Sequence, residues 1–261
     1  MFEVARYEGE RKLVLGATIA IAASFYGAMF VALSPAYSDF NVEALFSDFP
    51  QQFTEGFGLA AFNTLPGLLA VELYQFGWIL VLGLYLAYTA AGLVAGDIET
   101  GRMDTLLSTL VSRTRLVGEE FLSMLVPILA VNAITPIVLY VGSVLIDEPL
   151  DVTNLVMLHA LAVPYLLCCA AVGFALSVFL ANKSLAQNAS IGVLVVAFLV
   201  ETVFIGTDLE FFGVIAPMNY FDPTEILVYG NYDLAGAGIL LAGAVVLVLV
   251  GQWRFRRMDI Q

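Results

Sequence analysis

The chain has 261 residues, of which 61% are hydrophobic and only 13% are charged, whereas soluble domains are about half apolar and about one quarter charged. Its continuous apolar runs of about twenty residues predict membrane-spanning helices rather than barrel strands, which would alternate in polarity. With 23 acidic and 10 basic residues and a net charge of −13, the composition argues against a nucleic-acid-binding protein, which would present a basic surface.

The apolar runs predict an all-α polytopic membrane protein with six transmembrane helices in one domain over residues 1–261. The spans are predicted at about residues 13–33, 74–94, 121–145, 155–180, 190–204 and 234–250. Pro127 and Pro136 predict kinks in the third span.

Two shorter segments are predicted between the first and second spans. Residues 39–57 are acidic but carry apolar side chains at helical spacing, which predicts an amphipathic helix on the outer membrane surface. Residues 59–70 are apolar but interrupted by Pro66 and Gly67, which favours a separate re-entrant or interfacial helix.

The basic residues all fall on one side of the membrane that these spans imply. Lys and Arg collect in cytoplasmic loops, so both chain ends are predicted to be cytoplasmic and the three outer loops are predicted to be acidic. The ten basic residues are Arg6, Arg11, Lys12, Arg102, Arg113, Arg115, Lys183, Arg254, Arg256 and Arg257. Only two of them are Lys, and an acidic, lysine-poor composition resembles proteins of salt-loving organisms, so we expect a halophilic source.

Few chemically distinctive residues lie within the predicted spans. Glu201 in the fifth span either lines a substrate pathway or reaches the outer surface, because a carboxylate inside a bilayer needs protein or water around it. His159 is the only histidine, and a lone histidine is more often a packing residue than a functional one. Cys168 and Cys169 are interpreted as packing residues, and a soft-metal route with Met157 is disfavoured because these side chains do not share one helical face. No metal site is predicted.

The segment between spans two and three, residues 96–116, is the most informative part of the chain. Its apolar residues recur at i, i+3, i+4, i+7 and i+8, which predicts a short amphipathic helix. They are Met103, Leu106, Leu107, Leu110 and Val111, and the opposite face carries Arg102, Asp104, Thr105 and Thr109. Ser112 is predicted to cap the next helix. Such a helix either transmits the motion of a bound partner to both spans or rests in the lipid headgroups.

The same segment resembles a known family. Glu99, then Thr100-Gly101, then Leu106-Leu107-Ser108, then residues 111–115 (Val-Ser-Arg-Thr-Arg) are similar to the permease of type-2 ATP-binding-cassette (ABC) exporters. The six spans, the acidic outer helix and the tail Arg256–Ile260 are also similar to that family. Two departures are Leu110, where the family commonly has Pro, and Glu119-Glu120, where it commonly has Lys.

The resemblance implies that residues 96–116 contain a coupling helix that docks into a groove of an ATPase subunit. The implied coupling residues are Glu99, Arg102, Met103, Leu106, Leu107, Leu110 and Arg113. It also implies a second permease copy or paralogue, because one chain of this kind forms half of a pathway. The implied location is the plasma membrane, the implied direction is export, and the substrate is not indicated.

The chain carries no phosphate-binding motif of its own. Such a loop needs the pattern G-x-x-x-x-G-K-[ST], and neither Lys12 nor Lys183 ends one. We therefore expect a transport subunit rather than an enzyme, with ATP and Mg²⁺ bound by the partner ATPase and no cofactor in this chain. The alternative is an ion-coupled secondary transporter or channel without an ATPase, although no broken helix pair or pseudo-symmetric half supports it.

Overall fold

The computed structural model describes residues 3–37, 61–103, 112–180, 182–204, 207 and 209–258. Within these residues every regular element is helical, as the sequence predicts for an all-α protein. The predicted outer amphipathic helix at 39–57 lies outside the described residues.

The helices are numbered in chain order. They are α1 (Glu3–Tyr37), α2 (Leu65–Leu68) continued by a π-helical stretch (Leu69–Leu82), α3 (Gly83–Ala91), α4 (Leu93–Glu99), α5 (Arg113–Leu122), α6 (Leu125–Leu145), α7 (Val152–Leu180), α8 (Lys183–Phe204), α9 (Pro223–Leu227) and α10 (Leu234–Arg256). Two 3₁₀ turns, Glu210–Ile215 and Pro217–Tyr220, precede α9.

Six segments of the described chain are long and apolar enough to cross a membrane, which confirms the predicted fold class. They are Gly9–Tyr37, Leu65–Glu99, Arg113–Leu145, Val152–Leu180, Lys183–Phe204 and Leu234–Arg256, called spans one to six below.

Span two begins earlier than the sequence predicts, because residues 65–70 belong to it rather than to a separate interfacial helix. Thr64 caps the helix by accepting a hydrogen bond from the Gly67 amide at 3.2 Å. Pro66 is in the first turn, where an amide would have no intrahelical partner, so proline starts this helix instead of breaking it. Gly67 packs against the chain before it, since an added Cβ would lie 1.9 Å from the Ala61 carbonyl oxygen.

The prolines of spans one and three lie either next to a helix interruption or inside a continuous helix. Span three is interrupted at Ser123 and Met124, just before Pro127, which confirms one predicted irregularity. Pro136 lies inside α6, which continues past it to Leu145. Pro35 lies inside the helix of span one, which continues to Tyr37.

Span four lies at the centre of the bundle. In its 18-residue apolar stretch, 67% of the residues are buried, compared with 22% in the corresponding stretch of span five and 28% in that of span six. Span four approaches span two so closely that a Cβ added at Gly173 would lie 2.0 Å from the Ala87 carbonyl oxygen. Gly173 is therefore a helix-packing residue. Spans five and six have most of their surface available to lipid or to another chain.

Two acids between spans five and six serve as helix caps. Asp222 Oδ1 accepts from the amides of Thr224 at 2.8 Å and Glu225 at 3.1 Å, at the start of α9. Asp233 Oδ1 accepts from the Gly236 amide at 2.8 Å, at the start of span six. These carboxylates therefore complete helix N-termini, which is a common use of Asp.

Candidate coupling site

Helix α4 and the turn after it present Glu99 at the C-terminal end of span two. The helix ends because Gly101 adopts a positive φ of 68°, a conformation that glycine takes without strain. The Thr100 hydroxyl donates to the Gly96 carbonyl at 2.8 Å within the last turn. The Thr-Gly pair in the sequence is thus a helix terminator that turns the chain toward residues 102–103.

The start of α4 is capped by a different span. The break at Gly92 separates α3 from α4, so the first amides of α4 need acceptors from elsewhere. Ser177 of span four supplies one, since its Oγ accepts from the amides of Val94 at 3.2 Å and Ala95 at 2.9 Å. Ser177 is fully buried. The side chain therefore fixes the position of α4 against the central span.

The Glu99 carboxylate binds the first amide of span five. Its Oε1 accepts from the Lys183 backbone N–H at 2.7 Å. Lys183 is the first residue of α8, where the helix leaves its amides unpaired and where negative charge is favoured. Glu99 thus caps a helix that begins 84 residues later in the chain.

The C-terminal end of span two also packs directly against the N-terminal end of span five. A Cβ added at Gly96 would lie 3.3 Å from Lys183 Cδ, and one added at Gly92 would lie 3.1 Å from Gln187 Nε2. The same Gln187 amide donates to the Tyr88 carbonyl at 3.3 Å. The two glycines therefore form a surface on which long side chains of span five rest.

The next two predicted coupling residues are engaged within the chain. Arg102 Nη1 lies 3.2 Å from Asp97 Oδ1, an ion pair that spans the end of α4. Met103 is fully buried in the hydrophobic core. The remaining predicted residues of the stripe, Leu106, Leu107 and Leu110, lie outside the described residues.

Helix α5 starts at the predicted position but without the predicted side-chain cap. Ser112 has the extended conformation of a capping residue, yet its hydroxyl makes no capping hydrogen bond, and only its carbonyl accepts from Leu116 N at 2.9 Å. Arg113 Nη1 donates to the Met258 carbonyl at 2.8 Å, and Gln252 Nε2 donates to the Thr114 carbonyl at 3.2 Å. The start of span three is therefore tied to the end of span six.

The two glutamates that depart from the family pattern are buried. Glu119 and Glu120 are 3% and 2% exposed. Glu119 Oε1 accepts from Arg115 Nε at 2.6 Å, one helical turn away. Lys12 of span one donates to the Oγ of Ser123, the residue that follows α5. Basic groups thus reach this region from a neighbouring helix and from one turn earlier.

The chain matches the model of a known family. A family model described as ABC-2 family transporter protein matches residues 12–260. The chain belongs to this family. It is therefore the membrane permease subunit of an ABC transporter, a multi-pass protein of the plasma membrane. The comparison with curated proteins finds no match.

A polar network inside the permease was missed by sequence reasoning. His159 is 4% exposed and its ring nitrogens lie 2.9 Å from the Tyr74 hydroxyl and 2.9 Å from Asn132 Oδ1. The three residues come from spans four, two and three. His159 is thus buried as predicted, but it joins three helices rather than standing alone. Tyr74 and Asn132 are far from His159 in the sequence, so only their polar side chains could have suggested these contacts.

The other candidate residues within the spans are Glu201, Cys168 and Cys169. Glu201 is half-buried near the C-terminal end of span five, and a Cβ added at Gly213 of the first 3₁₀ turn would lie 3.5 Å from its Cγ. Cys168 and Cys169 are buried free thiols, in agreement with packing. Among the described residues, no group of three or more His, Cys, Asp or Glu side chains could hold a metal ion.

Proposed function

We propose that this permease is half of an ATP-driven exporter whose ATP is bound, with Mg²⁺, by a separate ABC ATPase subunit. The observation that carries the proposal is the 96–116 segment, which joins spans two and three in a chain of the ABC-2 family. Glu99 ties it to span five and Arg113 ties it to span six, while Ala95 just before it is bound by Ser177 of span four. A displacement of this segment would reach five of the six spans.

The proposed coupling surface comprises Glu99, Arg102, Met103, Leu106, Leu107, Leu110 and Arg113. Residues 104–110 are the part proposed to enter the ATPase groove, because Glu99, Arg102 and Met103 already have partners within the permease. Glu99, Arg102 and Arg113 hold the ends of this segment in place. Closure of two ATPases on ATP would then move both ends together.

The pathway is proposed to form between two permeases, either two copies of this chain or this chain and a paralogue. The supporting observation is the large exposed apolar surface of span five, in whose apolar stretch only 22% of the residues are buried. Glu201 on the same span is the candidate pathway residue, since a carboxylate within a span is costly unless protein or water surrounds it.

Transport measurements in inside-out membrane vesicles test the direction and the energy source. We expect ATP-dependent accumulation of a substrate that also stimulates the ATPase activity of the reconstituted complex. Accumulation in inside-out vesicles corresponds to export from the cell. Transport that persists without the ATPase and follows an ion gradient would instead support the secondary transporter or channel.

A further inference from the structure

We infer that Glu99 is a positioning residue that transmits motion of the 96–116 segment to span five through the Lys183 amide, rather than a charge that contacts the ATPase. The inference rests on the proposed function, because it requires a nucleotide-driven displacement of the segment. Its observation is the 2.7 Å hydrogen bond from the Lys183 N–H to Glu99 Oε1.

The capping of span five divides between two residues. Asn182 Oδ1 accepts from the Leu185 amide at 2.8 Å, and the Asn182 carbonyl accepts from the Ala186 amide at 2.9 Å. The Lys183 amide is bound by Glu99 instead. An amide at the first position of a helix has no intrahelical acceptor, so the cap of span five is completed only while Glu99 stays in place.

The contacts around this hydrogen bond indicate where a movement of α4 would be largest. Next to this hydrogen bond, the side chains of Gln187 and Lys183 pack against Gly92 and Gly96. Glu99 is the last residue of α4 and lies beyond the break at Gly92. If α4 pivots at this break, the largest displacement occurs at its far end, where Glu99 is attached to span five.

The two roles for Glu99 require different chemistry. A contact to a basic group of the ATPase needs the negative charge of the carboxylate. A cap on the Lys183 amide needs only an oxygen acceptor at that position, which glutamine also supplies. E99Q and E99A therefore separate the roles, because E99Q keeps the acceptor without the charge and E99A removes both.

Hydrogen–deuterium exchange of the intact permease–ATPase complex in lipid nanodiscs provides the test. Exchange is followed at residues 96–103 and at residues 183–187, with Mg²⁺ and either ADP or the non-hydrolysable analogue adenylyl imidodiphosphate. Recovery of the ATPase on purification and the thermal unfolding temperature show whether each variant is assembled and folded.

We expect the wild type and E99Q to change exchange at both sites when the analogue replaces ADP. We expect E99A to keep the change at 96–103, to lose it at 183–187 and to exchange the Lys183 amide about tenfold faster, as for one charge-assisted hydrogen bond. Retention of the response at 183–187 in E99A would overturn the inference, as would loss of ATPase binding in E99Q.

A different result would contradict the proposed function. A wild-type complex with no nucleotide response at residues 96–103 would contradict ATP coupling through this segment, and the inference along with it. A wild-type response at both sites combined with an unchanged E99A response would leave the proposed function intact and remove only the role of Glu99.

Discussion

Gly173 allows the close approach of spans two and four. We expect G173A to destabilise the permease by about 2 kcal/mol or more, because the added methyl would lie 2.0 Å from the Ala87 carbonyl oxygen and the spans must separate. In a chain of this length the unfolding temperature falls by roughly 5 °C. G192A is the matched control, since a Cβ at Gly192 meets nothing within 4 Å, and it should leave the unfolding temperature unchanged or slightly higher.

His159 joins spans two, three and four through side-chain hydrogen bonds. We expect H159F and Y74F each to lower the free energy of unfolding, because each leaves a buried polar partner unpaired. The double variant H159F/Y74F should lose less than the sum of the two, with a coupling energy of about 0.5–1.5 kcal/mol for hydrogen bonds between membrane helices. Strict additivity in a thermal unfolding series would show that the hydrogen bond contributes nothing.

The candidate coupling residues could be predicted from the sequence, but their partners within the chain could not. Glu99 and Arg113 stand out because they belong to a motif with a characteristic spacing. Their partners are main-chain groups of Lys183 and Met258, which are 84 and 145 residues away. A backbone amide or carbonyl is present at nearly every position, so no residue type marks it as a partner.

Helix α4 is held in place by one distant side chain, that of Ser177. We expect S177A to increase amide exchange at Val94 and Ala95 about tenfold, because both lose their acceptor and water replaces it. S190A is the matched control: Ser190 is equally buried, but its hydroxyl donates to the Gln187 carbonyl of its own helix. Equal exchange at residues 94–95 in the wild type and S177A would contradict the capping role.

Hydrophobic runs predicted the number and type of spanning elements, yet misplaced some boundaries. Pro66 and Gly67 predict an interruption, whereas both fit a helix start. Proline usually ends or kinks a helix, yet α1 continues through Pro35 to Tyr37. The π-helical stretch Leu69–Leu82 has no sequence signal that would have predicted it. Such details depend on neighbouring helices, which composition does not describe.

The orientation of the whole molecule remains a prediction from its basic residues. We expect a membrane-impermeant maleimide to label D151C in intact cells and to label S184C only in opened membranes, because these exposed positions belong to predicted outer and inner loops. The native Cys168 and Cys169 are buried and should give little background. Labelling of S184C in intact cells would reverse the topology and exclude a cytoplasmic ATPase contact at residues 96–116.

Capture of the tagged permease from its native membranes tests the central claim most directly. The account predicts an ABC ATPase in roughly equal amount, its loss with L107D, and its retention with L209D, which adds the same charge to an exposed leucine of the outer segment. Equal unfolding temperatures of the two variants would show that L107D remains folded. A wild-type permease that is transport-competent and captured without any ABC ATPase would contradict the account.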